Sequence, residues 1–75
     1  MARKRLTPLA RQRRAAGLTQ TKLAGLMDVD TSTISRWESG KVRPAPDEVP
    51  KLAQFIHVPA IRVEELIEAG ELLGG

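Results

Sequence analysis

Residues 19–40, TQTKLAGLMDVDTSTISRWESG, read as two short helices joined by a tight turn, and no other stretch restricts the fold as strongly. The second helix is the clearer of the two. Asp30 suits its N-cap, where a carboxylate can accept a backbone N–H of the first turn. Residues 31–38 follow as helix, and Gly40 suits a left-handed stop just beyond them. Ile34 and Trp37 form an i, i+3 pair on one face and must point inward. Ser32, Ser35, Arg36 and Ser39 recur at helical spacing on the opposite face, with Thr31 at its edge. A merely solvated face usually carries long Glu and Lys side chains. Short hydroxyls with one arginine instead let another surface come close, with donors and acceptors on display.

The preceding helix is equally legible. Thr19 is its cap, and Leu23 and Met27 form an inward i, i+4 pair over residues 20–27. Ala24 is small where the two helices must cross, and Val29 is an apolar plug for the corner between them. Asp28, in the turn, is expected in the left-handed conformation, which Asp tolerates better than most residues.

Taken together, Gln20, Leu23, Ala24, Met27, Val29, Ile34 and Trp37 resemble the helix-turn-helix of phage-repressor-like regulators, the Xre family. The flanking words GLTQ (residues 17–20), ISRWESG (34–40) and LAQFIHV (52–58) agree, and the likeness extends over roughly residues 9–66. Several spacings are combined, so the signal is specific. The resemblance implies a compact all-α, five-helix lambda-repressor-like DNA-binding domain with the helix-turn-helix at helices two and three. The chain departs from the family pattern in three places. Asp28 stands where the family usually has Gly, Ala45–Pro46 where it more often has a Ser or Thr cap, and residues 60–62 look like a short insertion before the last helix.

Size and charge fit this reading. A chain of 75 residues is one small domain that buries only about 60% of its unfolded surface, so its helices must pack efficiently. The absence of Cys excludes disulfides and thiolate metal sites, and no apolar run approaches the about 18 residues needed to span a bilayer. With no apolar signal stretch at the N-terminus, the expectation is a cytoplasmic protein, nucleoid-associated when on DNA, with no membrane partner. The net charge of +3 hides an asymmetry: residues 1–27 carry +7 with no acid, residues 28–43 balance, and residues 44–75 carry −4. A polyanion is drawn to one half and repelled from the other, which orients the molecule.

Organisation along the chain is simple. Residues 1–7 form a basic arm, residues 8–70 the domain, and residues 71–75 a flexible tail. Thr7–Pro8 reads as a cap followed by proline at the first helical position, opening a helix that ends at Gly17. KVRPAP (residues 41–46) is a proline-stiffened loop, and helix four starts near Asp47 with Pro50 in its first turn. Val49, Leu52, Ala53 and Ile56 are its apolar face. Helix five covers about residues 60–69, with Val63, Leu66, Ile67 and Gly70 on one stripe. No strand pattern or repeat is present.

The groove-facing set is Thr31, Ser32, Ser35 and Arg36 as base contacts; an arginine can bond guanine O6 and N7 together, and a Ser hydroxyl can pair with several bases. Phosphate contacts are expected from Thr19 and Thr21, whose hydroxyls lie beside a helix start that favours an anion, and from Ser39 at the far end of the recognition helix. The resemblance adds Gln20, which in the family touches the DNA backbone and braces the recognition helix, and Lys41 and Arg43 as further phosphate contacts. It also makes Arg13 and Glu38 a structural ion pair. Arg3, Lys4 and Arg5 read either as an arm that follows DNA or as a segment without a role. The family likeness places a dimer surface at the helix four–five end, at Val63, Ile67, Leu72 and Leu73. His57 has no ligating partner at metal spacing, and Glu64, Glu65 and Glu68 form a solvated face, so no metal, cofactor or catalytic residue is assigned.

The expected function is a sequence-specific double-stranded DNA-binding transcriptional regulator, a repressor acting as a homodimer on a pseudo-palindrome. It is not expected to be an enzyme. The alternative on the same fold is an antitoxin or coactivator-like interaction module, whose partner would be a toxin or RNA polymerase.

Overall fold

The computed structural model describes residues 6–72. The arm residues Arg3, Lys4 and Arg5 and the tail residue Leu73 lie outside the described residues. Five helices follow in order: α1 (Pro8–Ala15), α2 (Gln20–Met27), α3 (Thr31–Ser39), α4 (Glu48–Phe55) and α5 (Ala60–Leu72), with no strand among the described residues.

Local chemistry explains where the helices begin. Thr7 is extended and its side-chain oxygen accepts from the Ala10 N–H at 3.3 Å, with Pro8 in the first turn. Thr19 does the same for the Lys22 N–H at 3.0 Å. Asp30 holds the cap position of α3, but its carboxylate makes no cap hydrogen bond, contrary to the expectation from its side chain. Its backbone carbonyl accepts instead, from Thr33 at 2.9 Å and Ile34 at 3.4 Å. At α4 the side chain of Asp47 is likewise unused. There the Glu48 carboxylate reaches back to the Ala45 N–H at 2.8 Å, the acidic half of a capping box whose hydroxyl half Ala45 cannot supply.

The first four helices share one way of ending. After α1, Gly17 donates to Arg14 and Leu18 to Arg13; after α2, Asp28 donates to Gly25 and Val29 to Ala24. After α3, Gly40 donates to Trp37 and Lys41 to Arg36; after α4, His57 donates to Gln54 and Val58 to Ala53. Each is a Schellman closure around a left-handed residue, at Gly17 (φ 79°), Asp28 (φ 59°), Gly40 (φ 81°) and His57 (φ 63°). Three closures are followed at once by a half-buried apolar residue, Leu18, Val29 or Val58, which docks on the core and fixes the exit of the chain.

The core is built from Leu9, Leu23, Ala24, Met27, Ile34, Trp37, Leu52, Ala53, Ile56, Val63, Leu66 and Ile67. Helix α5 runs through its middle, packing against α1, α3 and α4, while α2 lies on α3 and α4. This arrangement corrects two expectations. Val63 and Ile67 do not form a dimer surface, because their stripe is the face that α5 buries, leaving them 0% and 2% exposed. Of that proposed set only Leu72 is exposed among the described residues. Second, α5 continues through Leu72, so Glu71 and Leu72 are helical rather than a frayed tail. Gly70 does not stop the helix; it lets α5 press against α3. A Cβ there would lie 3.0 Å from the Glu38 carbonyl oxygen. Residues 60–62, singled out as an insertion, are the first turn of α5.

Candidate nucleic-acid interface

Helix α3 has two faces with no residue in common. Ile34 and Trp37 are 1% and 2% exposed, which ties the helix to the core. Thr31, Ser32, Ser35 and Arg36 are all exposed on the other side. Ser39 is half-buried, and its hydroxyl donates back to the Arg36 carbonyl at 3.1 Å, so its proton is used within the helix. No acidic side chain stands in ion-pair range of Arg36 among the described residues.

A polar network underlies this face. The Arg13 guanidinium pairs through Nε with Oε2 of Glu38, and both side chains are buried. Arg13 Nη1 also donates to the Leu18 carbonyl at 2.8 Å. The second Glu38 oxygen accepts from Gln20 Nε2 at 2.8 Å. Four positions from α1, the following turn, α2 and α3 are therefore locked around one carboxylate. Every buried side-chain polar atom among the described residues has a partner, as a buried charge requires. The resemblance implied the Arg13–Glu38 contact, but nothing in the local sequence signalled that Gln20 would take the other oxygen. A second missed tie is Gln12 Nε2 to the Ile56 carbonyl at 2.9 Å, which fastens α1 to the end of α4.

The structure brings Gln20, Ser35 and Ser39 together at one hollow of about 200 Å³, floored by Ala10 and Arg13 and bordered by Thr7. Thr19 and Thr21 are exposed at the start of α2, where Thr19 caps the Lys22 N–H and the N–H groups of Gln20 and Thr21 have no intrahelical acceptor. Lys41 is exposed beyond Gly40 and has no ion-pair partner among the described residues.

Arg43, expected as a phosphate contact, is engaged within the chain itself. It turns toward α5 and makes two hydrogen bonds to one carboxylate: Nε to Glu71 Oε2 at 3.2 Å and Nη2 to Glu71 Oε1 at 3.0 Å. Glu68 stands 3.9 Å from the same Nη2. The partners are 28 positions apart in sequence, so no local pattern could have disclosed them. Pro44 behind Arg43 is buried, which anchors the loop.

Elsewhere the described residues hold no converging group of three or more His, Cys, Asp or Glu side chains. No helix is long and apolar enough to cross a membrane. A family model described as helix-turn-helix matches residues 9–63, from α1 into the first turn of α5. No curated protein and no solved structure matches the chain.

Proposed function

Because this chain belongs to the helix-turn-helix family of DNA-binding regulators, we propose that it is a sequence-specific transcriptional repressor that reads the major groove with α3. The observation that carries the reading is the uncommitted outer face of α3. A B-DNA major groove about 12 Å wide admits one helix, and short hydroxyls let that helix sit deep. Thr31, Ser32, Ser35 and Arg36 then face base edges. Arg36 supplies the strongest discrimination, through a paired contact to guanine O6 and N7.

Thr19, Gln20, Thr21 and Lys41 address phosphates on either side, and Ser39 joins them by turning its proton away from the Arg36 carbonyl. Such contacts set register without reading sequence. Gln20 Nε2 gives one N–H to Glu38, which leaves its second N–H and the backbone N–H groups of Gln20 and Thr21 to meet a phosphate. Arg43 joins them once released from Glu71. A monomer with so few phosphate contacts binds weakly, so occupancy of an operator calls for a dimer on a pseudo-palindrome with half-sites about 10 bp apart. Leu72, 88% exposed at the end of α5, is the one residue of the expected dimer patch that is open to a second copy among the described residues. Occupancy alone suffices to block a polymerase.

Selection of binding sites from random duplex DNA tests the whole reading. The expected product is a short motif containing guanine, recovered as an inverted pair. Recovery of unrelated sequences with equal affinity, or no retention at low salt, would remove the regulator function.

A further inference from the structure

The two cations of the loop after α3 are held differently. Lys41 is unpaired among the described residues, whereas the Nε–Nη2 edge of the Arg43 guanidinium, a two-point fork that could meet a phosphate, is occupied by Glu71. A planar fork of this kind binds carboxylates and phosphates by the same two-point geometry. We propose that Glu71 is an internal competitor for the DNA backbone, holding Arg43 in the free protein until a phosphate displaces it. This inference rests on the DNA-binding reading above and adds a residue that sets affinity from outside the interface.

Three features support it. Glu71 is fixed by its backbone and not only by the pair: a Cβ on Gly40 would lie 2.6 Å from Glu71 Cγ and 3.1 Å from its backbone N and Cα. The end of α5 is thus seated on the stop of α3, and it delivers this carboxylate beside the recognition helix. Next, the pair is accessible, with the side chains of Arg43 and Glu71 50% and 37% exposed. An ion pair at such a surface is worth little and is screened by salt, so exchange for phosphate is feasible. Finally, Glu68 stands 3.9 Å from the same nitrogen. After exchange both carboxylates lie within a Debye length, about 10 Å at 0.1 M salt, of the phosphate that replaced them. Their repulsion opposes binding until α5 or the side chains shift.

The experiment uses four full-length proteins, the parent, Glu71→Gln, Arg43→Ala and the double variant, titrated onto one random-sequence duplex over a range of salt. Thermal unfolding first establishes that all four fold. Release of Arg43 is expected to raise the affinity of Glu71→Gln about three- to tenfold in low salt and to steepen its log–log salt slope by up to about one unit. In the Arg43→Ala background, Glu71→Gln should leave the slope unchanged. An equal gain in both backgrounds would reduce Glu71 to a simple repelling charge and overturn the proposal. So would binding by all four proteins with no gain at Glu71→Gln. Failure of the parent itself to bind any duplex would overturn this proposal together with the regulator reading.

Discussion

Arg36 is the one long side chain on the outer face of α3, standing among Thr31, Ser32 and Ser35 and free of any acidic partner within the described residues. Its removal should therefore act on recognition and not on the fold. Arg36→Ala is expected to cost about 1–3 kcal/mol on the selected site while relaxing base preference at a single position. Competition binding with single-position variants of that site measures both effects. Equal weakening on selected and random DNA would move Arg36 to the phosphate set. Asp28 shows a residue kept for its backbone. At φ 59° it occupies the left-handed region that the related pattern gives to glycine. Asp is among the few side chains that tolerate it, so the turn geometry survives the departure.

At the scale of the elements, the Arg13–Glu38–Gln20 network is what aligns α3 with α1 and α2. Removing one member strands a buried charge. Arg13→Ala should lower stability by about 3–5 kcal/mol, while an apolar pair at positions 13 and 38 should recover most of that loss. Urea unfolding of the single and double variants checks this; an additive loss would mean that the pair is not coupled. Much at this level was legible in sequence. The caps at Thr7 and Thr19, the stop at Gly40 and the inward pairs Leu23–Met27 and Ile34–Trp37 are local codes, written within one or two turns. What escaped was set by distant partners. Asp30 and Asp47 have capping side chains that the folded backbone leaves unused. Gly70 was legible as part of the inward stripe, but the pressure of α3 that requires it to be small was not. Arg43 reads as a phosphate contact with no partner in the chain, because Glu71 lies far along the sequence. The outer face of α3 was visible through its residue types. The hold of α5 on the adjoining loop was not.

At the scale of the whole molecule, charge is graded from +7 over residues 1–27 to −4 over residues 44–75. The field of a duplex therefore turns the α1–α3 side toward DNA before any contact forms, and association should be fast and steeply salt-dependent. Lys41→Ala is expected to weaken binding to all sequences alike and to lower the log–log salt slope by about one unit. An unchanged slope would exclude Lys41 from the backbone contacts. The molecule is 36 Å long and 20 Å thick, and its anchoring and its outward chemistry are divided between opposite sides of a single nine-residue helix. Ile34 and Trp37 answer only to the interior, and Thr31, Ser32, Ser35 and Arg36 carry no interior duty. On the proposed reading, vocabulary can thus be rewritten without disturbing grammar: a lineage could drift to new operators by exchanging those four letters, with the scaffold indifferent to each change.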